Sequence, residues 1–344
     1  MRSEIMTNVT IKDIARIANV SYATVSRALN DHKDVNEQTK QKILKICNEV
    51  GYSPNAIARG LVKKNTYTIG LLVPDITNPY YPEVARGVED EASKEDYSVF
   101  LCNTNWDIMK EVNYFNLLLA KRVEGIIISP VSDDTMKFVE KFTDRLPIVF
   151  LGTRFEGEKY NYVVIDNIKG AEMITEYLIG LGHRRIAFIG GTKDSGTFSD
   201  RVLGYKKALK KNNIEIDKSI IKICGFRKID GSNALKAMAK ESNLPTAIFA
   251  VNDLLALGII DAAEDMGLSI PEDISLVGFD DISYSSLPKI KLTTVSQPKD
   301  HIGRESTRIL LEKIENKNKY VGLQRIVQPE LIIRSTCRPI VKGT

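Results

Sequence analysis

The sequence predicts an N-terminal all-α head of helix-turn-helix type, followed by an α/β body of two lobes, each a doubly wound parallel sheet. Three observations carry this prediction. Between Thr10 and Val50, apolar residues recur at helical spacing. From Tyr67 onward, apolar runs of strand length alternate with amphipathic stretches, the pattern of successive βα units. The charge also divides: residues 1–65 hold eleven Lys or Arg against six Asp or Glu, whereas the whole chain carries only +4. A basic head on a near-neutral body is the distribution expected of a nucleic-acid-binding head.

The head begins at Thr10, which caps a first helix with Asp13 as the acidic partner three residues on. Ile11, Ile14, Ala15 and Ala18 share one face of that helix, and Asn19-Val20 interrupts it. Ser21 caps a second helix with Val25, Ala28 and Leu29 inward. Its other face presents Tyr22, Ala23, Thr24, Ser26, Arg27 and Asn30. Donors, acceptors and one small apolar group on a short helix are the set that reads base edges in a major groove, so Ser21 to Asn30 is the expected recognition helix. Asn36 caps a third helix whose Ile43, Ile46, Cys47 and Val50 form an apolar stripe, with Gly51 as its stop. The stripe closes a three-helix core, leaving Lys40, Lys42 and Lys45 outside, within reach of phosphates.

The chain's 344 residues are too many for one ordinary domain, and its 43% apolar and 27% charged content is that of a water-soluble globular protein. No run of about eighteen apolar residues predicts a membrane span. Met1 to Asn8 lacks the apolar segment of a secretory signal, so a cytoplasmic protein is expected, with Met6 as an alternative start. Cys47, Cys102, Cys224 and Cys337 lack paired spacing, and His32, His183 and His301 are equally dispersed. Free core thiols are expected, with no metal site and no cofactor. Gly190 to Thr197 follows a strand but lacks the Gly-Lys-Ser/Thr ending of a phosphate loop. Without a dinucleotide fingerprint after the first strand or a nucleophile elbow, an enzyme is not expected and no residue is assigned a catalytic role.

After the head, Tyr52-Ser-Pro54-Asn55-Ala-Ile-Ala58-Arg59-Gly-Leu61 has a helical pattern too short to be stable alone. Together with Val20-Ser21-x-x-Thr24-Val25-Ser26-Arg27-x-Leu29-Asn30, it strongly resembles the DNA-binding head and hinge of the lactose-repressor (LacI) family of bacterial transcription regulators, in its ribose-repressor and catabolite-control-like branch. The resemblance implies a head over residues 1–53 and a hinge over 54–65 that orders on operator DNA against its dimer mate. Thr10 and the exposed residues of the second helix would then touch DNA, as would Asn55, Ala58 and Arg59 of the hinge. Leu61 takes the place of the family's leucine wedge, which kinks a base step from the minor groove. Tyr22 and Ala23 occupy the family's specificity positions.

In the body, strands are expected at Thr68–Val73, Ser98–Leu101, Gly125–Ser129, Ile148–Leu151 and Val163–Ile165, then at Ile186–Ile189, Ile220–Ile223, Ala247–Ala250 and Ser275–Gly278. Near-continuous apolar strands imply sheets covered on both faces. The body, 66–344, resembles the periplasmic sugar-binding-protein fold. That likeness implies a first lobe of about 67–165 and 296–325, and a second of about 166–295 and 326–340. The ligand would lie in the cleft at the carboxyl ends of the strands.

By the same resemblance, Asp75-Ile-Thr-Asn78-Pro-Tyr80-Tyr81 is the first ligand loop, with Asn78 for hydroxyls and one tyrosine for a ring face. Arg201 matches the family's effector arginine, Phe226 an aromatic wall, and Asn252 and Asp280 the remaining ligand turns. Asn252 is placed either against the ligand or as a brace of the cleft. After Leu151, where many sugar sensors carry an aspartate, this chain has Gly152-Thr153-Arg154, with Thr153 facing the cleft. A missing acid beside a cation points to an anionic or otherwise modified sugar.

The expected protein is therefore a ligand-responsive, operator-binding repressor of carbohydrate-metabolism genes. Its partners are double-stranded operator DNA, a small-molecule effector and a second copy of itself. No leucine heptads follow the last strand, so a homodimer rather than a tetramer is expected. Three other readings compete: a sensor of a phosphorylated carrier protein, a purine sensor, and a solute-binding transport protein sharing only the body.

Overall fold

The computed structural model describes residues 9–30, 32, 34–52, 65–155, 157–240, 244–316 and 322–340. The chain divides into two compact units, one ending at Thr66 and one beginning at Tyr67. Among the described residues, no helix is long and apolar enough to cross a membrane.

The first unit holds three helices, α1 (Ile11–Ala18), α2 (Tyr22–Leu29) and α3 (Glu37–Glu49). The Asp13 carboxylate accepts hydrogen bonds from Thr10 N at 3.0 Å and Thr10 Oγ1 at 2.7 Å, which ties down the entry to α1. Asn19 leaves the helix in the left-handed conformation (φ 54°), and the chain reverses there. Ser21 Oγ accepts from Thr24 N at 3.0 Å and starts α2. Ile14, Ala18, Val25, Ala28, Ile43 and Cys47 close the core between the three helices. Lys42 differs from expectation: its Nζ donates to Ala18 O at 2.9 Å, so it ties α3 to the end of α1 instead of standing free for a phosphate. The hinge residues Asn55, Ala58, Arg59 and Leu61 lie outside the described residues.

The second unit alternates strand and helix: β1 (Thr68–Val73), α4 (Tyr80–Ala92), β2 (Ser98–Asn103), α5 (Ile108–Ala120), β3 (Gly125–Ile128), α6 (Asp133–Glu140), β4 (Ile148–Leu151) and β5 (Asn161–Ile165). It continues with α7 (Asn167–Gly180), β6 (Ile186–Ile189), α8 (Gly196–Lys211), β7 (Ile221–Lys222), α9 (Lys228–Met238), β8 (Ala247–Ala250), α10 (Asp253–Asp265) and β9 (Ser275–Val277). The chain closes with β10 (Thr294–Ser296), α11 (Lys299–Glu315), β11 (Gln324–Val327) and β12 (Glu330–Ile332).

Lobe one is a six-stranded parallel sheet in the order β11-β5-β4-β3-β1-β2. Its faces are covered separately. Leu71 and Val73 turn towards α4 and α11, with Val84, Ile302 and Leu310, while Leu72 turns to the other side with Phe115, Ile126 and Ile128. Gly87 and Gly303 let α4 and α11 approach: a Cβ at either would stand 2.2 Å from a carbonyl oxygen of the other helix. Lobe two is a four-stranded parallel sheet, β7-β6-β8-β9, around Phe188, Phe249, Phe279 and Tyr205. The chain passes between lobes three times: after β5, between β10 and α11, and between β11 and β12. β11 carries the first sheet through Val327, two residues past the expected limit of 325. β12 pairs antiparallel with β10 in a separate ribbon, joined to the edge of the second sheet by the bridges Val277–Thr293 and Asp280–Ser296.

Candidate effector cleft and DNA-reading helix

The carboxyl ends of both sheets face a common cleft. Its lining includes all eight residues expected there: Asn78, Tyr80, Tyr81, Thr153, Arg201, Phe226, Asn252 and Asp280. The free room in it is about 60 Å³, far below the roughly 300–1,000 Å³ of small-molecule sites.

Arg201, on α8, anchors the floor. Its Nε donates to Asn167 Oδ1 at 2.9 Å, Nη1 to Val251 O, and Nη2 to Asp280 Oδ1 at 3.4 Å. The guanidinium also lies 3.7 Å from the centroid of the Phe279 ring. Asp280 follows β9 with φ 119°, a left-handed conformation rarely adopted outside glycine. The turn is held from three sides. Gln297 Nε2 donates to Asp280 Oδ1 at 2.7 Å, Lys299 Nζ donates to Asp280 O at 3.0 Å, and the buried Asp253 carboxylate accepts from Ile282 N, Ser285 and Thr294. Burial pushes the Asp280 carboxyl up to about 7, with Arg201 the main opposing pull. Asn167 and Gln297 both sit on segments where the chain changes lobe, so the cleft floor and the crossings are one hydrogen-bonded construction. Neither residue carried a sequence signal.

Asn252 caps α10 through Oδ1, which accepts from Leu255 N at 2.8 Å, and its Nδ2 donates to Phe226 O at 3.1 Å. Its side chain therefore braces two cleft loops. Asn78 Oδ1 accepts from Tyr80 N at 3.1 Å, shaping the first loop. Tyr80 and Tyr81 meet edge to face at 5.1 Å, and both line the cleft while packing on the lobe-one core. The division into one ligand ring and one core ring is not observed. Burial raises both phenol pKa values, so both hydroxyls remain protonated, and that of Tyr81 hydrogen-bonds to Ser129. Thr153 lines the cleft, but Arg154 does not. Arg154 Nη2 donates to Asp166 Oδ1 at 3.1 Å at the first crossing, which removes the free cation on which the anionic-sugar expectation rested. The sequence also missed Trp106, which stacks on Phe226 with centroids 4.4 Å apart.

Gly190 and Gly191 have φ of 119° and 84°, and a Cβ on either would run into Val251 or Phe198. Gly191 bridges to Gly225. The glycines thus serve close backbone approach beside the cleft and do not form a phosphate cradle.

In the first unit, Ser21, Tyr22, Ala23 and Arg27 are exposed on α2, while Thr24, Ser26 and Asn30 are half-buried. Tyr22 keeps 55% of its surface in solvent. Arg27 Nη1 meets Asp34 at 3.0 Å with both side chains more than half exposed, an ion pair weak enough to exchange for another acceptor. Asn30 folds back onto Ser26 O at 2.7 Å. Thr10 is engaged with Asp13 at the start of α1.

A helix-turn-helix unit with an exposed polar reading face, followed by a two-lobed cleft body, is the architecture of a ligand-responsive DNA-binding regulator. Residues 10–55 match the bacterial regulatory proteins of the lacI family, and residues 66–335 match the periplasmic binding proteins and sugar binding domain of the LacI family. The chain is 39% identical to the HTH-type transcriptional regulator RegA of Clostridium saccharobutylicum, over 95% of this chain and 98% of that one. It is 35% identical to the HTH-type transcriptional repressor PurR of Vibrio vulnificus, over 96% and 99% of the two chains. A crystal structure of the lac repressor dimer bound to operator and the anti-inducer ONPF superposes with a TM-score of 0.86 at 28% identity, covering 96% of this chain and all of that one. The chain belongs to the LacI family of bacterial regulatory proteins. It is a ligand-sensing transcriptional regulator, and the transport-protein reading falls away.

Proposed function

We propose that the chain is a cytoplasmic, homodimeric repressor of carbohydrate-metabolism genes whose cleft binds a neutral sugar. The observation that carries this reading is the charge of the cleft: Arg201 and Asp280 are the charged residues of its lining, and they are paired with each other at 3.4 Å. With Arg154 paired to Asp166 and the Arg201 guanidinium already donating to Asn167, Val251 O and Asp280, a phosphate or uronate would have to displace those partners and set a second acid beside Asp280. A hydroxyl-rich ring suits the site. Tyr80 and Tyr81 offer it ring surface, Asp280 an acceptor and the Arg201 guanidinium a donor.

Two copies of α2 would read the halves of a near-palindromic operator, since the symmetry of a dimer imposes symmetry on its site. The hinge, 54–65, would set Leu61 in the minor groove. The edge strand β2 leaves Phe100 and Leu101 more than 40% exposed, and Met109 on α5 is 68% exposed. An apolar edge of this kind is a natural seat for the second copy. The effector acts by binding one lobe arrangement better than the other, and it shifts DNA affinity only by that difference.

The test is a thermal-shift screen of the full chain against neutral sugars, sugar phosphates, uronates and purines, followed by operator binding with the hit. A neutral sugar at one hundred times its dissociation constant should stabilise the body by about 2.7 kcal/mol and change operator affinity. Stabilisation by purines or sugar phosphates alone would sink the neutral-sugar reading. Stabilisation only by a phosphorylated carrier protein would move the sensed partner from small molecule to protein.

A further inference from the structure

The deep cleft does not end at its own lining. Beyond it lies a second chamber of about 280 Å³, walled by Val131 and Ser132 from lobe one and by Thr192, Asp194 and Arg227 from lobe two. Trp106 and Phe226 line both spaces. Each comes from a different lobe, Trp106 from the loop after β2 and Phe226 from the loop between β7 and α9. Their rings are parallel to within 7° with centroids 4.4 Å apart. The partition between the two chambers is therefore a face-to-face aromatic contact made across the lobe boundary.

Three details set this contact apart from ordinary core packing. Trp106 holds left-handed backbone, φ 61°, a conformation that a bulky residue keeps only where the surroundings impose it. The Trp106 indole Nε1 is buried with no hydrogen-bond partner, an uncommon state for an indole in a folded interior. Arg227 of lobe two reaches back to the same loop, donating to Asn105 O at 3.3 Å and Oδ1 at 2.9 Å. The loop is gripped from the opposite lobe.

We propose that Trp106 and Phe226 form a clamp that parts when the lobes open and closes on a second ring of the effector. The ligand would then be a neutral sugar of two joined rings. One ring lies on Arg201 and Asp280, and the other lies between the aromatic faces with its far edge in the outer chamber. Parallel aromatic faces cover both apolar sides of a sugar ring, and stacking of this kind tolerates variation in the ring's substituents. The indole N–H gains a hydroxyl or glycosidic oxygen as acceptor. Ser132, Thr192 and Asp194 offer hydrogen bonds to outer hydroxyls. The chamber's size approaches the lower end of small-molecule sites, which the deep cleft alone does not. This proposal rests on the carbohydrate reading above.

Trp106 is the only tryptophan of the chain, so its emission reports on the clamp directly. The full-length protein is titrated with glucose and galactose, and with cellobiose, maltose and lactose, by tryptophan fluorescence and calorimetry. At least one disaccharide should bind tenfold or more tightly than its component monosaccharide and shift the emission. Trp106→Ala should weaken that disaccharide at least tenfold more than the monosaccharide, and Trp106→Phe should keep most of the preference. Equal affinity for one and two rings, or equal weakening of both by Trp106→Ala, would overturn the clamp and leave the carbohydrate reading standing. Binding of no saccharide would overturn both.

Discussion

Arg27 on α2 and Arg201 on α8 are the same side chain in two regions built on opposite rules. The side chain of Arg27 is 59% exposed and meets one exposed carboxylate. That of Arg201 is 5% exposed, with Nε, Nη1 and Nη2 each donating to a different part of lobe two or its crossings. The exposed face of α2 keeps Tyr22, Ala23 and Arg27 in water. The cleft floor holds its polar groups against one another before any ligand arrives. A change on α2 should therefore alter recognition without altering stability, whereas a change on the cleft floor should alter both.

The largest effect is expected from Arg201→Ala. It leaves Asp280 buried beside only Gln297 and the Lys299 charge, and it opens the contact with Asn167 at the first crossing. Removing one partner of a buried ion pair costs ~3–5 kcal/mol. Urea unfolding of the full chain should show this loss in the body. A loss under about 1 kcal/mol would place the floor under the same rules as the head and break the comparison.

The next effect concerns Glu111, a fully buried carboxylate on α5. Both of its oxygens accept from Val131 N at 3.2 Å, which positions the Ser129-Pro130 wall of the cleft. Burial pushes it up to about 7. Between its ordinary range and that value, the folded chain holds a proton that the unfolded chain has released. Stability therefore falls as pH rises from about 4.5 to about 7 and stays reduced above. Glu111→Gln has no such titration. Relative to the wild type it should gain up to ~3 kcal/mol between pH 5 and pH 8, since each tenfold difference in proton affinity between the folded and unfolded chain is worth about 1.4 kcal/mol. Melting curves across that range check the sign. A wild-type body that gains on the variant as pH rises would reverse the argument.

These contrasts also explain what the sequence revealed. Strands β1, β4, β6 and β8 fall at the expected residues, because a strand buried on both faces is a short, unbroken apolar run. The recognition helix was legible because its cap, stripe and reading face lie within ten residues. Helix α6 offers no comparable stripe, since only Thr135 and Val139 of its eight residues are buried. The cleft floor joins residues 34, 79 and 17 positions apart, as in Asn167 with Arg201, Arg201 with Asp280, and Asp280 with Gln297. No local period encodes such meetings. Arg201, Asp280 and the tyrosines were placed through family resemblance, while Asn167, Gln297 and Trp106 had neither pattern nor resemblance to mark them.

Arg27→Ala tests the head's side of the contrast. Should Arg27 read a base, the variant loses about 1–3 kcal/mol of operator affinity and relaxes preference at one position. Its ion pair with Asp34 is exposed, so the melting temperature should barely move. Fluorescence anisotropy with specific and scrambled duplexes separates the outcomes. Equal loss on both duplexes would make Arg27 a phosphate contact, and an unchanged ratio at unchanged affinity would remove it from the interface.

The smallest effect is the sharpest, because Ser21 belongs to both sides of the contrast. Its Oγ accepts from Thr24 N at 3.0 Å and lies 2.8 Å from Thr24 Oγ1, so it starts α2 from an exposed position beside the reading face. Ser21→Ala should cost about 1 kcal/mol of head stability through loss of the cap. Ser21→Asp restores an acceptor for the Thr24 amide and a favourable charge at the helix N-terminus, so stability should return. A phosphate near that N-terminus would be repelled by the same carboxylate. The expected signature is thus a head as stable as the wild type with weaker binding to every duplex. Full recovery of DNA binding along with stability would show that Ser21 serves the helix alone, and that the DNA-facing surface of α2 begins at Tyr22.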